Sequence, residues 1–520
     1  MLVVMLLAAC APQPPSEPVT SRPVPTPAQS ATSATPTPNP TPTPDPRQWV
    51  QRENAQPGTR GWTLEKGAAA ADQVAGFADR TSAAAGEKVT LRVTATVPTW
   101  TAEVYRLGYY GGAGGRLVWR SDPQTGVAQP PPRVDAGNAV TAAHWAPSLA
   151  LDTAGWPPGS YLIKLVIPSG AGRYIPLTIR SDAYAGRVVL LAATTTYQAY
   201  NTWGGYSLYK GPHGFEDRAR RVSYDRPYDH NGARHATGYE QNIVLLAERL
   251  GLDLAYATVD DLERGPAAFA GARGLVSPGH DEYWSPAMRA TVEALRDSGT
   301  NVAFLGANAL YWRVRLSASP LGERRVVEGY KSAAEDPVKD GSAAAQWRQS
   351  PGANPESSLV GMLYECFPAE GALVVHDPAF FLFAGTGATR GSSYPGLIGT
   401  EIDRAYPGYG TPASLRVVAH SLVQCGNVGR TFADMTYYTA PSGAGVLAVG
   451  TMNWVYALQA DPQPGTGQTP ATLAFATKVT ENLLTAMAAG PMGASNPATS
   501  NLAEIAPNPS TRTGTGGPVG

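Results

Sequence analysis

Charge is scarce in this 520-residue chain. Asp, Glu, Lys and Arg make up 16 % of it, with 40 basic residues set against 41 acidic ones, where about a quarter is usual. No basic block or stripe stands out, which argues against nucleic acid as a partner. Histidine is equally sparse. There are seven, no two of them at i, i+4, and no HExxH, so zinc-hydrolase spacing is absent. Cysteine numbers three with no CxxC pair, which leaves out a zinc ribbon or a thioredoxin-type site. No GxSxG elbow exists, and Ser277, close to the densest polar cluster, precedes a proline. The glycine string "YYGGAGGRLVW" is followed by neither GK[ST] nor a helix, so it reads as a strand connection rather than a phosphate loop.

Glycine (56) and proline (47) are abundant, as suits a loop-rich exported protein. The amino terminus, "MLVVMLLAAC", is apolar but too short to span a bilayer. It resembles a bacterial lipoprotein signal, with "LAAC" as the lipobox and Cys10 as the lipidated residue. It departs from that pattern in having no Lys or Arg before Cys10. Lipidation would tether the chain to the membrane outside the cytoplasm. In such a compartment the two remaining cysteines, Cys366 and Cys425, are candidates for a disulfide. Residues 11–46 are rich in Pro, Thr and Ser and read as an extended spacer. Residues 490–520 read as a disordered tail.

Between these ends the grammar changes once. Residues 47–184 alternate in short runs between Gly/Pro turns. "GSYLIKLVIP" and "GRYIPLTIR" flank the turn "SGA" as a hairpin. A β-sandwich domain is predicted there. Over 185–489 apolar strands alternate with helical patterns, beginning with "RVVLLAATTTYQAYN", "YEQNIVLLAERLGL" and "PAMRATVEALRDSG". That order predicts an α/β domain with a mostly parallel sheet flanked by helices. In such sheets ligands bind at the carboxyl ends of the strands. Three strand-end segments would converge on one edge, carrying Tyr197, Tyr200 and Asn201; then His280, Asp281 and Glu282 of "SPGHDEYW"; then Gly306 and Asn308. Tyr239 and Glu240 begin a helix nearby.

Eight of the 24 tyrosines fall between residues 184 and 239, which makes phenol the most concentrated functional group of the region. Phenolate and carboxylate are hard oxygen donors that suit a hard cation such as ferric iron. The residues also admit a carboxylate glycosidase using Asp281 or Glu282 with a distant partner. The rival reading is a non-catalytic binding module, stacking Tyr197, Trp203, Tyr206 and Tyr209 on glycans or peptides.

Six motifs in order, "YRLGYYGGAGGRLVW", "TTYQAYNTWGGYSLY", "DRPY", "SPGHDEYWS", "GANALYWRVR" and "GTMNWVYAL", together resemble the large (beta) subunit of N,N-dimethylformamidase over roughly residues 85 to 485. The resemblance implies a β-sandwich beside an α/β domain. It implies hydrolysis of a small amide by one ferric iron held by two tyrosines and a glutamate. By motif, Tyr200 and Glu282 are two of those ligands and Tyr239 in "GYEQN" the third, with Tyr197 and Tyr283 as alternatives. His280 and Asn308 take the supporting catalytic positions.

Overall fold

The computed structural model describes residues 48–426 and 428–505. Cys10, the signal-like segment, the Pro/Thr/Ser spacer and the end of the tail lie outside the described residues. The part of the tail inside them is ordered. Met492–Ser495 and Leu502–Ile505 are helical, and Met492 and Ile505 bury their side chains. Asn501 exchanges two hydrogen bonds with the Val417 backbone.

Two sheets occupy the first part of the chain. One joins Val74–Ala78, Lys88–Ala95 and Leu149–Asp152. The other centres on Thr99–Leu107, Gly159–Val166 and Gly172–Arg180, the last two forming an antiparallel hairpin. Strand 88–95 buries every second side chain, the period-2 mark of a half-buried strand. Val89, Leu91 and Val93 of the first sheet share one core with Val104, Ile163, Leu165 and Ile175 of the second.

The chain then builds a nine-stranded sheet. Its strands in chain order are β1 (Val188–Ala192), β2 (Leu254–Thr258), β3 (Gly274–Gly279), β4 (Asn301–Gly306), β5 (Leu363–Val374), β6 (Ser393–Arg404), β7 (Arg416–Cys425), β8 (Gly429–Thr439) and β9 (Gly445–Ala448). Their spatial order is β2-β1-β3-β4-β9-β8-β7-β5-β6. Pairing is parallel as far as β9 and antiparallel beyond it. The sheet is therefore mixed rather than mostly parallel. Long strands such as β7 and β8 meet through a tight turn, which permits only antiparallel pairing.

Both faces of the parallel half are covered, which is why its strands read as continuous apolar runs. Leu190, Val276 and Ala303 pack with Ile243 and Leu246 of helix Gln241–Arg249 and with Leu473 and Leu483 of helix Pro470–Ala489. Their neighbours Leu191, Leu275 and Phe304 pack with Met288, Val292 and Leu295 of helix Pro286–Asp297 on the other face.

A helix, Trp49–Asn54, occurs where the sequence reading expected only strands. Its Trp49 donates an indole N–H to the Leu254 carbonyl at 3.2 Å. Arg106, on strand 99–107, pairs with Glu248 of helix 241–249, and both side chains are fully buried. Tyr256 also donates to Glu248 at 2.6 Å. Breaking such a buried pair from one side costs about 3–5 kcal/mol, so this contact ties the first sheets firmly to the large one. Cys366 and Cys425 are joined by a disulfide between β5 and β7.

Candidate active site

Two glycines bring the strand ends close enough to form a site. A Cβ on Gly306 would fall 1.6 Å from the Gly279 carbonyl oxygen, and one on Gly279 would fall 2.6 Å from Cβ of Tyr239. Without side chains there, the ends of β3 and β4 and the turn Ala236–Glu240 come into direct contact. That turn is a π-helical one, a form that recurs at functional sites. Thr194–Tyr200, read from sequence as a loop, is a short buried helix following β1. Three consecutive β-branched threonines disguise it.

Glu282 is the centre of the cluster, 1 % exposed. Its Oε2 accepts from the Tyr200 hydroxyl at 2.7 Å. Its Oε1 accepts from the Tyr209 hydroxyl at 2.8 Å and from Asn308 Nδ2 at 3.2 Å. The two phenol oxygens are 3.0 Å apart, and their rings stack at 4.6 Å. His280 Nε2 lies 3.1 Å from the Tyr200 oxygen and 3.4 Å from Glu282 Oε2. Behind Tyr209, the Tyr283 hydroxyl donates to the Tyr209 oxygen at 2.6 Å and accepts from Lys331 Nζ at 2.6 Å. The Lys331 ammonium sits 3.1 Å from the centre of the Tyr209 ring, a cation–π contact.

Burial sets the protonation of this group. It raises the Tyr200, Tyr209 and Tyr283 phenols well above 10, with the Glu282 charge adding to the effect. Glu282 resists its own burial because His280 and Lys331 stand beside it, and its carboxyl is held below the ordinary value. Burial works against a charged His280, but the Glu401 and Glu282 carboxylates outweigh it and raise the imidazole to about 9. Glu401 is pushed up to about 7, chiefly by burial and then by Glu282. Its Oε2 lies 4.0 Å from His280 Nδ1. Lys331 is lowered by burial.

The structure brings Tyr200, Glu282, His280 and Asn308 into one cluster. Tyr239 stands at its edge. Its ring faces His280 at 5.9 Å and Tyr456 at 5.6 Å, and its hydroxyl bonds with Tyr456, so the phenol beside Glu282 is Tyr209 instead. Tyr197 is buried against His235 and Tyr228. Tyr283 bonds to Tyr209 through its hydroxyl and meets the Tyr200 ring edge-on at 6.3 Å. Glu401, Lys331 and Asp403, whose carboxylate accepts from the Asn308 backbone at 2.8 Å, were not singled out from sequence. They sit on β6 or on irregular segments, where no periodicity marks them. Tyr209 belonged to the tyrosine-rich stretch, and that density was the signal available for it.

The cluster forms the floor of a cavity of about 410 Å³ walled by Tyr311, Trp312, Tyr364 and Phe367. Of the four aromatic residues a glycan-stacking module would use, Tyr209 lines this cavity, Tyr197 is buried, and Trp203 packs on Trp145 at 5.8 Å. Among the described residues, no group of three His, Cys, Asp or Glu side chains is placed to hold a metal. The donor set here is instead phenol and carboxylate oxygen.

Comparison with known proteins gives one family. Residues 101–468 match the family described as N,N-dimethylformamidase beta subunit-like, C-terminal, which points to hydrolase-like function. No curated protein sequence matches the chain. Among solved structures, the chain is similar to a Paenibacillus sp. cycloisomaltooligosaccharide glucanotransferase complexed with cycloisomaltoheptaose, at 12 % identity and a TM-score of 0.14. The match spans 24 % of this chain and 17 % of that one, too slight a likeness to bear on fold or function.

Proposed function

The chain belongs to the N,N-dimethylformamidase beta subunit-like family, and from that membership we propose that it is an iron-dependent hydrolase of an amide-type C–N bond. The observation that carries this reading is the convergence of the Tyr200 and Tyr209 hydroxyls on the Glu282 carboxylate, at 2.7 and 2.8 Å, on the floor of a cavity. The donor set fits ferric iron. Three hard oxygens lie within hydrogen-bonding reach of one another, and buried phenols give up their protons only to a strong local positive charge. Among the described residues a buried oxygen of a cavity-lining residue, Asn308 Oδ1, has no hydrogen-bond partner, as a polar group awaiting a ligand would. Tyr200, Glu282 and a second tyrosine would hold the ion. Iron bound there supplies a Lewis acid for the oxygen that gains negative charge when water adds to an amide.

The chain's own groups supply the rest. His280 is placed to hold or donate a proton beside Tyr200 and Glu282. Asn308 Nδ2 fixes the Glu282 carboxylate. Glu401, which lines the cavity, is placed to take a proton from water. The test is metal analysis of the purified protein, followed by assay against a panel of simple amides. About one iron per chain is expected, and hydrolysis should vanish on chelation and return with iron. Iron-loaded protein that cleaves no amide would sink the proposal.

We also propose that the chain is exported and held to the membrane through Cys10. This rests on the "LAAC" sequence and the spacer after it. Among the described residues no helix is long and apolar enough to cross a membrane. Cys10→Ala is expected to move the protein from the membrane fraction to the soluble one. Unchanged fractionation would count against lipidation. In the same reading the first two sheets are a β-sandwich domain and residues 185–489 the catalytic one, supported by the change of sheet between residues 180 and 188.

A further inference from the structure

The cavity is far larger than the smallest amides need. A dimethylated formamide displaces only a few water volumes of about 30 Å³ each, whereas this cavity is about 410 Å³, a size typical of pockets for larger organic ligands. Its walls and its mouth also differ in kind. The walls are aromatic. The mouth carries Lys210, Arg234, His230 and Asp229, and Lys210, His230 and Arg234 are exposed.

The charges at the mouth do not cancel. Asp229 is already engaged, accepting from the Thr202 backbone N–H at 2.8 Å and its hydroxyl at 2.6 Å, with His230 Nε2 at 3.7 Å. The Arg234 guanidinium meets only His230, at 3.3 Å. Neither Arg234 nor Lys210 forms an ion pair with a carboxylate among the described residues. At its buried end the cavity carries the Tyr200, Tyr209 and Glu282 oxygens, its walls are aromatic, and its exposed lining includes the basic Lys210 and Arg234.

Building on the amidase reading, we propose that the substrate is an amide with an apolar, ring-sized body and a carboxylate at the end away from the bond that breaks. The neutral amide lies on the floor, the body fills the aromatic middle, and Lys210 and Arg234 hold the carboxylate at the mouth. An Arg fork suits a carboxylate bidentately. The reaction consumes one water. The amide C–N bond breaks, a C–O bond forms, and the nitrogen leaves as an amine carrying the transferred proton.

Para-acetamidobenzoate, whose ring stands between the amide and the carboxylate, and its uncharged counterpart N-phenylacetamide test this directly. Calorimetry on the wild-type protein is expected to show para-acetamidobenzoate binding about tenfold more tightly, and the difference should shrink as salt is raised. In Lys210→Gln/Arg234→Gln, para-acetamidobenzoate should weaken about tenfold while N-phenylacetamide shifts less than about twofold. Equal affinities for the two compounds, an equal loss for both in the variant, or no binding of either overturns the proposal. Preference for para-acetamidobenzoate with neither compound cleaved by the iron-loaded protein would refute the amidase reading and leave only the carboxylate-binding mouth standing. Cleavage of both at equal kcat/KM would refute the carboxylate proposal and leave the amidase reading standing.

Discussion

Tyr200→Phe is expected to purify with less than about a tenth of the wild-type iron and without the colour that a ferric phenolate gives, its fold unchanged. The expectation follows from what the oxygen does. The Tyr200 hydroxyl stands 2.7 Å from Glu282, 3.0 Å from Tyr209 and 3.1 Å from His280. Removing it takes one hard donor from a set of three and leaves a gap that no neighbouring side chain fills. Loss of a ligand usually costs metal affinity more than loss of a group that merely orients one, which itself costs about 10–100-fold. The ring itself stays, still stacked on Tyr209, so the melting temperature should move by only a few degrees. Elemental analysis and a visible spectrum read the outcome without any assay of activity. Full iron content in Tyr200→Phe would end the metal assignment.

The same measurement identifies the third donor. On the distances in the structure the fall should recur in Tyr209→Phe, whose oxygen is 2.8 Å from Glu282. A fall in Tyr239→Phe instead would restore the assignment drawn from motif resemblance. It would mean that the Tyr239 ring leaves Tyr456 when iron binds.

How much of this was legible in sequence depended on where each residue sits. Tyr200, His280, Glu282 and Asn308 follow strands β1, β3 and β4, which are adjacent and parallel. Parallel strands carry their following segments to one edge, so residues far apart in sequence could be placed together from strand grammar alone. Glu401 escaped because β6 is antiparallel and edge-placed. Its register is set by long-range pairing and bulges that no local pattern encodes. Lys331 lies in an irregular segment after Glu328 and reaches the site through its buried position beside Tyr209 and Tyr283. The mostly parallel expectation failed for the same reason. Apolar runs such as "GAGVLAVG" state that a strand is buried, not which way its neighbour runs.

Glu401→Gln is expected to keep its iron and lose turnover by about 10²–10⁴-fold, with KM little changed. The amide matches the carboxyl in shape, so the packing around β6 should hold. What disappears is the ability to accept a proton. Glu401 has the features of a base for water: a place on the cavity wall, and a carboxyl pushed up to about 7 by burial and by the neighbouring Glu282. An isolated buried carboxylate would be costly, but here His280 lies 4.0 Å away and offsets its charge. Placement of the two groups side by side lets Glu401 take a proton while His280 supplies another. Metal content and kcat must be measured on the same preparation. A parallel loss of iron would make Glu401 a group that holds the site together, and an unchanged kcat would remove it from the chemistry.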